Sequence, residues 1–167
     1  MESTKKKLAI VTGAARGIGL ATAKLFSQND YKVAIVDRDK NELSNLSLAN
    51  NLMKSFCYDI SDFNNVDMMY QEILEWHDRV DVLVNNAGVA DFGSIEMTDF
   101  NRWNEVMKTN LDGAFMCSQK AISYLKKTKG SIINIASISG LRASTLRVAY
   151  GTSKAAIIQL TKQQAAE

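Results

Sequence analysis

Proline is absent from the 167 residues, although ordinary usage near 5% would place about eight in a chain of this length. No proline-rich linker therefore separates domains, and no low-complexity tract or internal repeat interrupts the chain. Histidine occurs once, as His77, and cysteine twice, as Cys57 and Cys117. A lone histidine with no ligating neighbours argues against a zinc site and against a Ser-His-Asp triad; His77 reads as a helix-surface residue. Two isolated cysteines without a CxxC pattern read as reduced, half-buried thiols of a cytoplasmic protein. No apolar run approaches the roughly 18 residues that would cross a bilayer, and "LAIV" (8–11) is too short for a signal-peptide core. Excess charge of one sign is also missing: 20 basic side chains face 18 acidic ones, a net charge of +2. Neither nucleic acid nor a membrane surface is implied as a partner. "KKK" (5–7) reads as a solvated lead-in to the first strand.

What remains is an ordinary globular composition, 46% apolar and 23% charged, of a length suited to one domain. Short β-branched runs alternate with helical patterns. Strands are expected at 7–12, 31–37, 51–59, 79–85 and 130–137. Ile18, Ala21, Leu25 and Phe26 form one helical stripe. "DKNE" (39–42) has the form of a capping box, with Asp39 at the N-cap and Glu42 three residues on. Ser61 is expected to cap the helix carrying Val66, Met69, Ile73, Leu74 and Trp76. One long helix is expected over 98–126 and another from 149 onward. Five strands alternating with helices imply crossover connections and hence an α/β doubly wound parallel sheet with helices on both faces. Ligands of such sheets bind beyond the carboxyl ends of the strands.

The unusual residues collect there. "TGAARGIG" (12–19) follows the first strand. Gly13 suits a turn that a side chain would forbid. Gly17 and Gly19 open a helix whose free N–H groups could receive a phosphate. The spacing is G-x-x-x-G-x-G, which departs from the usual G-x-G-x-x-G fingerprint. Asp37, at the end of the second strand, stands eighteen positions past Gly19, near the roughly 20 expected of a ribose-binding acid. A carboxylate there accepts from ribose hydroxyls and repels a 2′-phosphate, which favours NAD over NADP. Arg16 and Arg38 are the opposing feature, since guanidinium groups suit that phosphate. Asp59 follows the third strand and could reach an adenine edge. "NNAG" (85–88) follows the fourth, where Ala87 and Gly88 would let backbone lie close to a ribose. "YGTSK" places Tyr150 and Lys154 four apart on one helical face. A tyrosine hydroxyl is a poor base at neutral pH unless a nearby cation favours its phenolate, and Lys154 is such a cation. Ser137, at the end of the fifth strand, could reach the same opening.

Taken together, "TGAARGIG", Asp37, Asp59, "NNAG", Asn110 in "TNLDG", Ser137 and "YGTSK" resemble the short-chain dehydrogenase/reductase family over essentially the whole chain. That resemblance implies a Rossmann-like sheet of order 3-2-1-4-5 in a single domain (1–167). It implies hydride transfer between a nicotinamide cofactor, NAD in preference to NADP, and an alcohol or ketone, with no metal. Tyr150 would be the acid/base. Lys154 would favour the phenolate and bind the nicotinamide ribose. Ser137 would hydrogen-bond the substrate oxygen, and Asn110 would hold a water on the proton path. The cofactor would lie on Gly13, Arg16, Gly17, Ile18, Gly19, Asp37, Arg38, Asp59, Ile60, Asn86, Ala87 and Gly88, with Tyr150 and Lys154.

Members of that family usually extend past the Tyr-Lys helix. By resemblance, the absent part holds further strands, a Pro-Gly loop beside the nicotinamide and a substrate lid, which agrees with the missing proline. Two expectations follow: an apolar edge at "SIINIAS" (131–137), and an opened nicotinamide end that weakens turnover of this chain. The alternative function is a nucleotide-binding or interaction fragment without turnover. "VADFGS" (89–94) and "ISGLRASTLRVA" (138–149) would border the substrate, where Arg142 and Arg147 are cations that could meet an anion. Phe115, Met116, Ile122, Ile157, Ile158 and Leu160 could serve a homodimer or homotetramer through the helices at 98–126 and 149–167.

Overall fold

The computed structural model describes residues 5–48 and 51–166; Glu167, the last residue of the expected final helix, lies outside them, as do residues 1–4. Five parallel strands form one sheet: β1 (Leu8–Thr12), β2 (Lys32–Asp37), β3 (Met53–Cys57), β4 (Val82–Asn85) and β5 (Ser131–Asn134). Their order is β3-β2-β1-β4-β5, as the family resemblance implies. β1 lies between β2 and β4, with Ile10 opposite Ala34 on one side and Leu83 on the other. The strand order reverses at this point, so a crevice opens beyond the ends of β1 and β4.

Both faces of the sheet are covered, which explains why β1 is buried at every position. Leu8, Ile10, Val36, Phe56 and Leu83 pack with Met69, Ile73, Cys117 and Ala121 on one face. These partners come from α3 (Phe63–Trp76) and α5 (Gly113–Thr128). Val11, Val33, Ile35 and Val84 pack with Ala23 and Leu43 on the other, from α1 (Gly17–Gln28) and α2 (Lys40–Ser44). Side-chain alternation along β1 and β2 distributes residues between the faces. A salt-bridged Asp81 fixes the start of this arrangement: its carboxylate accepts from the Leu8 N–H at 2.9 Å and from Arg79 Nε at 2.7 Å.

Several expected boundaries shift for local reasons. β3 and β5 are shorter than their apolar runs, and β4 begins only at Val82. Asp62, not Ser61, caps α3 by accepting from the Asn65 N–H at 2.9 Å; Ser61 instead binds Asp59. Asp39 caps α2 as expected, accepting from Asn41 and Glu42. The other half of the box is filled by Asp37, whose carboxylate accepts the Asp39 N–H at 3.1 Å.

The expected long helix over 98–126 is three pieces: α4 (Phe100–Met107), a π-helical stretch Lys108–Asp112, and α5. The stretch contains Asn110, whose side chain bonds to the backbone of Val89 in a different segment. α6 (Val148–Ala166) follows a 3₁₀ turn at Ile138–Gly140. His77 is not on a helix surface. It ends α3 at 5% exposure, because its Nε2 meets the Lys6 carbonyl at 2.7 Å. Cys57 is exposed and Cys117 fully buried, where both were expected to be half-buried. Ile157 is also buried core, so it offers nothing to an oligomer face.

Candidate active site

The glycine turn is shaped by two different demands. Gly13 and Gly17 both adopt left-handed backbone, at φ 62° and 57°. A Cβ on Gly13 would fall 2.6 Å from Ala87 Cα, so this turn packs directly on "NNAG". Nothing lies within 4 Å of a Cβ at Gly17, which leaves the start of α1 open. Arg16 is the N-cap there and forms no side-chain capping bond. The first N–H groups of α1 are therefore available to an anion. Gly19 differs from its expected role. It is buried, and its Cβ would come within 2.3 Å of the Gly13 carbonyl and 2.5 Å of Asn86 Nδ2, so it serves close packing rather than phosphate approach. Ile18 is exposed on the same turn.

Thr12, the first residue of the glycine motif, holds this corner together. Its buried hydroxyl accepts from the Asn86 and Ala87 N–H groups at 3.1 Å each. Asn86 in turn donates its side-chain amide to the Thr12 and Gly13 carbonyls, both at 2.9 Å. Asn86 thus builds the wall of the site with its side chain already engaged. Asp37 stands opposite: one carboxylate oxygen accepts from Ala15 N–H at 3.1 Å and the other from Asp39 N–H. Gly13, Arg16, Asp37, Arg38, Asp59, Ile60, Asn86, Ala87 and Gly88 all line one cleft, together with Val36, Tyr58, Val89 and Thr109.

Both arginines of that cleft face carboxylates. Arg38 pairs with Asp59 at 3.3 Å and approaches Glu105 at 4.0 Å; Arg16 lies 3.7 Å from Glu42. Burial opposes ionisation of Asp59, but the amide and hydroxyl of Ser61 and the Arg38 charge outweigh it and hold its pKa below the usual value.

Gly88 joins the cleft to the second group of residues. A Cβ there would sit 3.3 Å from Asn110 Oδ1 and 3.6 Å from Lys154 Nζ. Asn110 accepts from the Val89 N–H at 2.8 Å and donates to the Val89 carbonyl and the Ser153 hydroxyl, each at 3.0 Å. Lys154 is 5% exposed. It donates to the Ile135 carbonyl at 2.7 Å, and burial lowers its pKa. Its Nζ lies 5.8 Å from the centre of the Tyr150 ring. Ser137 is not the last residue of β5. It caps the 3₁₀ turn, accepting from the Ser139 N–H at 3.2 Å. Gly140 then lays this turn on α6, where a Cβ would strike Lys154 backbone at 2.6 Å. The turn carrying Ser137 is thereby held against the helix that bears Tyr150 and Lys154.

A parallel sheet of this order, with a glycine turn and an acid lining its switch-point crevice, defines a Rossmann-like fold. The chain belongs to the short chain dehydrogenase family, whose model matches residues 7–167. It is 36% identical over 161 residues to a meso-2,3-butanediol dehydrogenase of Serratia marcescens, covering 95% of this chain and 64% of that one. It is 32% identical over 166 residues to the 3-oxoacyl-[acyl-carrier-protein] reductase FabG of Thermotoga maritima, covering 96% and 68%. A solved 3-ketoacyl-(acyl-carrier-protein) reductase from Brucella melitensis, complexed with NADH, superposes with a TM-score of 0.91 at 28% identity, over 97% of this chain and 70% of that one. The chain thus spans about two thirds of the length of these relatives. Among the described residues, no helix is long and apolar enough to cross a membrane.

Proposed function

We propose that the protein is an NAD(H)-dependent oxidoreductase of alcohols and ketones, with Tyr150 as its acid/base. The observation that carries this reading is the placement of Lys154. A buried ammonium with one backbone acceptor, 5.8 Å from the Tyr150 ring, stands 3.6 Å from the Cβ position of Gly88 at the end of the cofactor cleft. Such a cation costs folding energy where it sits, and it favours the negative form of a nearby phenol.

The residues of the cleft fit a dinucleotide. The uncapped start of α1 and the open space at Gly17 suit a diphosphate. Asp37 suits the ribose hydroxyls, while Arg16 and Arg38 face Glu42 and Asp59 rather than standing free for a 2′-phosphate. That contrast supports NAD over NADP. When bound, the nicotinamide supplies or accepts the hydride. Tyr150 gives a proton to the carbonyl oxygen in reduction and takes it back in oxidation. Ser137 holds that oxygen by a hydrogen bond. Lys154 stabilises the phenolate and binds the nicotinamide ribose. Asn110 keeps Val89 and Ser153 in register around it and would hold a water on the proton path.

The exposed side chains of Phe115 and Ile122 border a groove with Leu160 between α5 and α6, which supports a homodimer or homotetramer through these helices. The catalytic reading is tested with Tyr150→Phe. Turnover of secondary alcohols, 2,3-butanediol among them, should fall by about 10²–10⁴-fold while NAD still binds. Undiminished turnover in that variant would refute the assignment.

A further inference from the structure

The loop after β4 and the start of α6 are stitched together beside Tyr150. The Gly93 N–H donates to the Leu146 carbonyl at 3.0 Å, and Gly93 pairs with Arg147 as a short parallel bridge. This brings the Arg147 guanidinium over the face of Phe92, 3.7 Å from its ring centre, and 5.2 Å from the centre of the Tyr150 ring. A guanidinium this close to a ring has hydration removed from that side, while N–H groups pointing away from the ring stay available. Among the described residues, no carboxylate forms an ion pair with Arg147. Asp91, the neighbouring acid on the Phe92 loop, is taken by Arg102. Arg147 follows Leu146, which holds left-handed backbone at φ 57°, and it immediately precedes α6, whose first turn adds partial positive charge. Arg142, the other cation of this segment, is exposed and shows no comparable seat.

We propose that Arg147 selects an anionic substrate, a hydroxy acid or its oxo form, whose carboxylate meets the guanidinium edge while its oxygen faces Tyr150. The proposal rests on the oxidoreductase reading for the identity of the reacting oxygen. It deepens that reading by naming the substrate class. The geometry fits one more feature: a planar fork seated on the Phe92 ring presents paired donors to a carboxylate without having to be ordered on binding. A lysine in its place would keep the charge but lose both the stack and the fork.

The test compares pyruvate, acetoacetate and levulinate with their methyl esters, measured by calorimetric binding with and without NADH. At least one acid should bind more tightly than its ester by roughly ten- to a hundredfold, the range of a charge-assisted hydrogen-bonded pair, and the margin should shrink with added salt. Arg147→Gln should erase that margin, Arg147→Lys should keep part of it, and Arg142→Gln should leave it in place. Esters that bind as well as their acids, or a margin that survives Arg147→Gln, would overturn the proposal. If Phe92 stacking were the sole role of Arg147, Arg147→Gln would lower the melting temperature without changing the acid-to-ester ratio, and that too would overturn it. NADH binding without acid preference sinks this inference alone. Acid preference without NADH binding would overturn the oxidoreductase reading and, with it, the substrate role of Arg147, leaving only an anion contact.

Discussion

The side-chain amide of Asn110 donates to the hydroxyl of Ser153 at 3.0 Å, tying the π-helical stretch to α6 one residue before Lys154. Ser153 passes this on by donating to the Tyr150 carbonyl at 2.7 Å. Two buried side chains thus connect the break in one helix to the backbone of Tyr150 in another.

Removal of either partner should therefore be felt in stability. Asn110→Ala strands the N–H and carbonyl of Val89 and is expected to cost about 2–4 kcal/mol, whereas Ser153→Ala should cost about 1 kcal/mol. Urea titration of the single and double variants measures both. Because the two side chains share a bond, the double variant should lose less than the sum. Strict additivity would mean that the bond contributes nothing.

The glycine turn offers a sharper contrast. Gly19→Ala forces a methyl group against the Gly13 carbonyl and should destabilise by more than about 3 kcal/mol. Gly17→Ala meets no neighbour and carries only the left-handed backbone penalty of about 1–2 kcal/mol. Denaturation midpoints of the two variants should separate in that order.

His77 should make the fold sensitive to mild acid. Burial lowers its pKa below the ordinary value, aided by Lys32, Lys5 and Arg79, while its bond to the Lys6 carbonyl acts in the opposite sense. The unfolded chain then binds more protons between that lowered value and about 6.5, so stability rises with pH across this window and is lost as pH falls through it. The ring resonances of this single histidine should titrate below the unfolded value, and His77→Gln should flatten the pH dependence of the urea midpoint in the same window.

The two thiols should react at very different rates. Cys57 is exposed, whereas burial pushes Cys117 up to about 12, which leaves almost no thiolate at neutral pH. A thiol reagent should find one fast group in the native protein and two in denaturant. Cys57→Ser should remove the fast phase.

The alternation of strands with helices, the glycine turn, Asp37 at the end of β2 and the Tyr150–Lys154 spacing were legible because they are local properties of sequence; the strand order came from the family resemblance. What escaped notice depends on distant partners. Gly19 reads like a phosphate-facing glycine until the Gly13 carbonyl is found against it. Thr12 and Ser153 look like any hydroxyls, and only their buried partners mark them. His77 reads as surface because Lys6, 71 positions away, supplies its acceptor. The break at Lys108–Asp112 is invisible in an unbroken helical pattern, since Val89 competes for Asn110 from another segment. Arg142 and Arg147 were two loop cations that could each meet an anion, and only the Phe92 ring beneath Arg147 tells them apart.

The most direct measurement is a calorimetric titration of the protein with NAD and, separately, with NADP. On the proposed role of Asp37 at the ribose, and with Arg16 and Arg38 facing acids, NAD should bind at least about tenfold more tightly, a difference of about 1.4 kcal/mol. Equal or tighter binding of NADP would reverse the cofactor assignment, and failure of both to bind would contradict the proposed oxidoreductase function itself.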